Sequence, residues 1–218
     1  HFGISDRIRA DHYTVRGETE QVTLPDGTQV SLNSDSAIRV AYSPKQREVV
    51  LLRGEAFFDV QHNPDRPFIV VDDQFRARAV GTRYGVREQS VAGAPDVQVE
   101  DGVVEVTTRT ERVMLNAGEG GFLSADGQFA VREIDLGNTT AWRDGKLVFS
   151  NQPLSTVLAT LEKYRFGKIV LLNKAVGAKR VSGIFDLDDT DQALRSLANG
   201  LPIRITRATD LLTIIDEK

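Results

Sequence analysis

The sequence predicts an all-β region followed by a small α+β domain of βαβ type. Three observations lead there. From Tyr13 to about Asp135 apolar residues alternate with polar ones in short runs. Asp-Gly and other glycine-containing turns punctuate those runs at close intervals. After Trp142 the apolar spacing changes to that of helices interleaved with strands.

In the first region Val22, Leu24, Val30 and Leu32 alternate with polar neighbours on either side of Pro25-Asp26-Gly27, a hairpin signal. Further runs are Val49 to Leu52, Ala56 to Val60, Phe68 to Val71, Ala77 to Val80 and Tyr84 to Arg87. Asp101-Gly102 separates Val97-Gln98-Val99 from Val103-Val104-Glu105-Val106, and Asp126-Gly127 precedes Phe129-Ala130-Val131. Short strands punctuated in this way suit a sandwich, a barrel or a stack of β-coils. Phe57, Phe58, Val60, Phe68 and Val70 read as core, because alternation explains them. Gly54, Gly81 and Gly102 read as backbone positions that need positive φ or a close strand approach.

In the second region Leu147-Val148-Phe149 reads as a strand, and Asn151-Gln152-Pro153 as a helix start with proline in the first turn. Leu154, Val157, Leu158, Leu161 and Tyr164 share one helical face, and Gly167 ends it. Ile169 to Leu172 and Val181 to Phe185 read as strands. Asp189 and Gln192 have capping-box spacing ahead of Ala193, Leu194, Leu197 and Ala198, with Gly200 closing the helix. Ile203 to Thr206 and Leu211 to Ile215 complete the order β-α-β-β-α-β-β. Right-handed crossovers would place both helices on one side of a small sheet. Gly137, Asn138, Thr139 and Thr140 mark the boundary, giving domains at 13–136 and 145–216.

Composition narrows the function classes. The 218 residues carry a net charge of -4, with 27 basic and 31 acidic side chains mixed along the chain, so nucleic-acid binding has no electrostatic footprint. With no cysteine there is no disulfide framework, thiolate metal site or cysteine nucleophile. His1, His12 and His62 have no partners at metal-ligand spacing and read as surface or loop histidines. Asp186, Asp188, Asp189 and Asp191 imitate a calcium loop but lack its glycine and its closing glutamate, so helix capping is the better reading. Gly118, Gly120 and Gly121 form no dinucleotide fingerprint and suit a turn or bulge. No catalytic residue, cofactor or metal is expected.

The motifs in the first region resemble the FecR family of bacterial regulators. Leu24-Pro25-Asp26-Gly27-Thr28 with Val30-Ser31-Leu32-Asn33 looks like the family's opening hairpin. Gly54-Glu55-Ala56-Phe57-Phe58-Asp59-Val60 and Arg66-Pro67-Phe68-Ile69-Val70 are similar to the segments that follow it. Gly81-Thr82-Arg83-Tyr84-Gly85-Val86, Asp101-Gly102-Val103-Val104 and Ala117-Gly118-Glu119 complete the series. Trp142, Gly145 to Phe149 and Pro153-Leu154 continue it into a part that resembles the secretin/TonB short N-terminal domain.

The resemblance implies a β-solenoid or sandwich-like FecR region ahead of that small domain. It also implies the periplasmic region of a single-pass inner-membrane anti-sigma regulator, anchored by an upstream helix that this sequence does not include. Such a region would bind the N-terminal signalling domain of an outer-membrane TonB-dependent siderophore transporter. The signal would pass to an ECF sigma factor through a cytoplasmic segment, also absent from this sequence. A β-rich carbohydrate-binding or adhesin domain is the alternative. An exposed sheet edge can bind another chain by strand addition. The expected contact is therefore an end strand of the second domain, either Lys146, Leu147, Val148 and Phe149 or Leu211, Leu212, Thr213 and Ile214.

Overall fold

A computed structural model of the chain describes residues 4–88 and 94–218, which leaves His1 outside the described residues. The chain separates into two compact units, His1–Leu136 and Gly137–Lys218. The first unit opens with helix α1 (Ile4–Arg9) and continues entirely in strands. These are β1 (His12–Tyr13), β2 (Glu20–Thr23), β3 (Gln29–Leu32), β4 (Ala37–Tyr42), β5 (Arg47–Arg53), β6 (Glu55–Asp59) and β7 (Phe68–Val71). They are followed by β8 (Arg76–Ala79), β9 (Arg83–Arg87), β10 (Val97–Asp101), β11 (Val103–Thr107), β12 (Arg112–Asn116), β13 (Glu119–Leu123) and β14 (Phe129–Glu133).

Among the described residues these strands form two seven-stranded sheets, β1-β4-β5-β7-β8-β11-β12 and β14-β13-β10-β9-β6-β3-β2. Sequence order rises steadily across both, so the chain advances in one direction while passing back and forth between them. Most neighbours are antiparallel. The pair β5 and β7 is parallel, because the chain visits β6 in the other sheet between them. Gly27 and Gly127 serve hairpins within a sheet, whereas Gly54 and Gly102 lie where the chain switches sheets, both at φ +83°. A β-carbon at Gly54 would also strike the backbone of Asp35 and Ser36. Gly81, without positive φ, instead leaves room for His62, which is exposed in a loop.

The inward side chains of both sheets share one core that includes Val30, Leu32, Phe58, Val60, Phe68 and Val70. Phe58 packs its ring 5.5 Å from Phe68 and 5.6 Å from Tyr84 between centroids. Each such pair contributes about 0.5–1.5 kcal/mol beyond the area it buries. Phe57 departs from the alternation argument. Adjacent residues of a strand point to opposite faces, and Phe57 is buried without joining the core that holds Phe58.

Among the described residues of this unit one cation is buried. Arg47, the first residue of β5, is 1% exposed and stacks 5.5 Å over the Phe68 ring. Its Nη1 donates to Asp26 Oδ2 at 2.6 Å and to the Gln61 carbonyl at 2.7 Å. Its Nε donates to the Arg66 carbonyl at 2.7 Å, and Nη2 reaches the Val80 carbonyl at 3.4 Å. Asp26 also accepts from the Thr28 hydroxyl at 2.7 Å and the Tyr42 hydroxyl at 2.8 Å. Burial alone would raise the Asp26 carboxyl, but the hydrogen bonds from Arg47, Thr28 and Tyr42 outweigh it and hold the group below its ordinary value.

In the second unit, helix α2 (Leu136–Thr140) and a 3-10 turn at Ala141–Asp144 lead into β15 (Lys146–Pro153). Next come α3 (Leu154–Lys163), β16 (Lys168–Leu171), α4 (Lys174–Gly177), β17 (Arg180–Asp186), α5 (Thr190–Gly200), β18 (Ile203–Thr209) and β19 (Leu212–Glu217). The expected order is present with the short α4 added. The sheet is different: the strands split into a pair, β15-β17, and a triplet, β16-β19-β18. Helix α3 packs on β15 and β17 and also on β16, while α5 packs on β17 and on β18. The two helices therefore lie between the sheets, and Leu154, Val157, Leu158, Leu161, Leu194 and Leu197 are buried there. Two-sided burial of the helices is what removes the need for a single sheet.

Two outcomes follow from the Arg47 site. Arg47→Met should destabilise the chain by about 3–5 kcal/mol in urea titration, because it strands the partly buried Asp26 carboxylate and several carbonyls. A loss below about 1 kcal/mol would contradict this. The second concerns pH. A carboxyl lowered in the folded state contributes stability in full above its ordinary value of 3.8, and loses that contribution as pH falls through the folded value. Asp72 and Glu88, both raised by burial, act with the opposite sign. Comparison with Asp26→Asn isolates the effect: the wild-type advantage in urea midpoint should shrink from pH 5 down to pH 3. An advantage that is constant over this range would count against the arrangement.

Candidate partner-binding surface

The two end strands expected to make the contact have different surroundings. β19 is the central strand of its sheet, parallel to β16 and antiparallel to β18. Its backbone is occupied on both sides, so the expectation of an edge at Leu211 to Ile214 is corrected. The end of the chain is not the edge of the sheet. Leu211 is 65% exposed in the turn before β19, Thr213 is buried, and Leu212 and Ile214 are half-buried.

β15 does lie at an edge, since it pairs with β17 alone. Leu147 and Phe149 face the helices and are buried, with the Phe149 ring 6.0 Å from that of Phe185. Lys146 is exposed and forms an ion pair with Asp186, while Val148 is half-buried opposite Ile184. The register of β15 then breaks between Phe149 and Gln152, with Asn151 at φ +49°. A bulge of this kind bends a strand and blunts its edge for pairing. Of the four residues expected here, Lys146 and Val148 are therefore available to a partner as side chains.

β17 carries the other edge of this pair. Its backbone is regular, and among the described residues no strand lies along its outer side. Beside it, Arg180, Val181, Ser182, Gly183 and Phe185 form one wall of a groove of about 380 Å³. Ser196, Leu197, Gly200 and Leu201 of α5 and its end form the other. On the opposite face of β17, Ile184 is 69% exposed. Sequence reasoning assigned Val181 to Phe185 to a strand but gave no reason to expect its edge to be open. Edge position depends on which strands pair, which local periodicity does not encode.

The remaining candidates have structural roles. Asp189 caps α5 by accepting from the Gln192 N–H at 2.8 Å. Asp191 bonds to Arg207 on β18 and lies 3.3 Å from Arg165 ahead of β16, and the Arg207 hydrogen bond chiefly lowers its carboxyl. Asp186 is held by Lys146. Among the described residues no group of three or more His, Asp or Glu side chains is placed to share a metal ion. Two of the family-like segments of the first unit meet at Arg47, one through Asp26 and Thr28 and the other through Arg66 and Phe68. Arg47 itself escaped the sequence reading, because an arginine opening a strand normally faces solvent.

The comparison with known families bears directly on these motifs. Residues 10–105 match the family described as FecR protein. The all-β unit belongs to the FecR family. The likeness extends beyond the FecR match. Two crystal structures of a candidate anti-sigma factor from Parabacteroides distasonis, at 1.65 and 2.50 Å resolution, are 28% identical to the chain. Each covers 95% of this chain and 98% of its own, with TM-scores of 0.80 and 0.79. None of the curated proteins matches the chain. The FecR unit and the small second unit thus occur together in the P. distasonis structures.

Hydrogen exchange distinguishes the two strands. The amides of Thr213, Ile214 and Ile215 in the central β19 should exchange slowly. Alternate amides of β17, those facing its open side, should exchange at rates approaching those of loops. Uniform protection along β17 would contradict an open edge.

Proposed function

We propose that the chain is the periplasmic region of an inner-membrane anti-sigma regulator. In this reading it binds the N-terminal signalling domain of a TonB-dependent siderophore transporter. The signal then passes to an ECF sigma factor through a cytoplasmic segment. The observation that carries the reading is the FecR match at residues 10–105 combined with the end-to-end likeness to a candidate anti-sigma factor. No helix among the described residues is long and apolar enough to cross a membrane. In this reading the membrane anchor is an upstream helix, as the family resemblance implies.

A relay of this kind needs an interface whose occupancy shifts a conformational balance, rather than groups that make or break bonds. The second unit is the better place for that interface. Lys146 and Val148 line the exposed face of the β15-β17 pair, with the buried Leu147 and Phe149 on the other face of β15, which packs on α3. The first unit supplies a close-packed body fixed by Arg47 and its partners.

Removing residues 145–218 should abolish binding to the transporter's signalling domain in titration calorimetry, with far-UV circular dichroism showing that the β unit remains folded. Unchanged affinity would overturn the assignment of the contact to the second unit.

A further inference from the structure

The two sheets of the second unit cover the helices unequally. The triplet β16-β19-β18 lies on one side of α3 and α5, and only the pair β15-β17 lies on the other. The shortfall falls beside β17, above the last turn of α5, where the groove of about 380 Å³ opens. A strand laid there would sit roughly 4.8 Å from β17 and complete a second three-stranded layer.

The chemistry of the groove defines its occupant. One wall is a row of main-chain N–H and C=O groups on the open side of β17, which only an extended backbone satisfies in sequence. The apolar part of the lining is Val181, Phe185, Leu197 and Leu201, which suits apolar side chains at alternate positions of that strand. Arg180 stands at one end, donating one guanidinium N–H to the Asn151 carbonyl at 2.9 Å. A positive end of this kind calls for a carboxylate on the incoming strand.

The edge of β15 offers less, because its bulge at Ser150 and Asn151 interrupts the backbone ladder.

We propose that the open edge of β17, with the groove it forms against α5, receives an extended edge strand of the partner protein. This rests on the reading of the chain as a regulator that binds a transporter signalling domain, and it names the surface and the mode of recognition. Gly200 gives a clean test, because a β-carbon there meets nothing within 4 Å and the position is not one of positive φ. Gly200→Trp fills the groove from the α5 side.

The experiment is hydrogen exchange of the full chain with and without the purified N-terminal signalling domain of the transporter, combined with titration of the Gly200→Trp variant. The proposal expects new protection at residues 180–186 and 196–201. It also expects at least tenfold weaker binding by Gly200→Trp, with an unchanged melting curve. Binding with protection elsewhere, or with affinity unaffected by Gly200→Trp, overturns the β17 site and leaves the regulator reading standing. Absence of binding by the wild-type chain overturns both. If Gly200→Trp melts early, Ser196→Phe, which enters the same groove from an exposed position, decides the affinity comparison.

Discussion

Among the described residues of the first unit one cation is buried, and three connections meet at it. Arg47 is surrounded by core side chains, and a guanidinium there is tolerable only when its charge and its N–H groups are all answered. Asp26 supplies the charge, and the carbonyls of Gln61, Arg66 and Val80 take three more of the donors. Those partners come from the β2-β3 turn, the β6-β7 connection and the β8-β9 corner. One side chain therefore ties three separate connections together. This explains why a Pro-Asp-Gly-Thr turn and an Arg-Pro-Phe segment occur far apart in the sequence: their atoms meet at one point. It also assigns those motifs to architecture rather than to ligand binding.

Much of the fold was legible because local chemistry dictated it. Asp26-Gly27 and Asp126-Gly127 signalled hairpins, and the helical faces of α3 and α5 were readable from Leu154 to Leu161 and from Ala193 to Leu197. The capping role of Asp189 was legible for the same reason, since a carboxylate before a helix has an N–H within reach. Asp101-Gly102 marked a turn but not its kind. The same dipeptide that closes a hairpin elsewhere here carries the chain from one sheet to the other, a distinction that depends on distant strands.

The second unit shows the same limit more sharply. Periodicity located β15, β16, β17, β18 and β19, but nothing local says that β15 pairs with β17 while β16 pairs with β19. The expectation of a sheet edge at Leu211 to Ile214 failed for that reason: a strand at the end of a chain can lie at the centre of a sheet. At Lys146 to Phe149 the edge is real, yet the Asn151 bulge makes its backbone a poor template. The open face left by these pairings lies along β17, which the sequence marked only as an unremarkable strand.

The functional picture joins a β unit held rigid by a buried ion pair to a small unit with an incomplete sheet layer. On the proposed function, the most direct test is transcription of the gene controlled by the sigma factor, in cells that carry the full regulator with Gly200→Trp. The account predicts that the variant accumulates normally while transcription no longer responds to the transporter's siderophore. A normal response from a normally accumulating variant would contradict it.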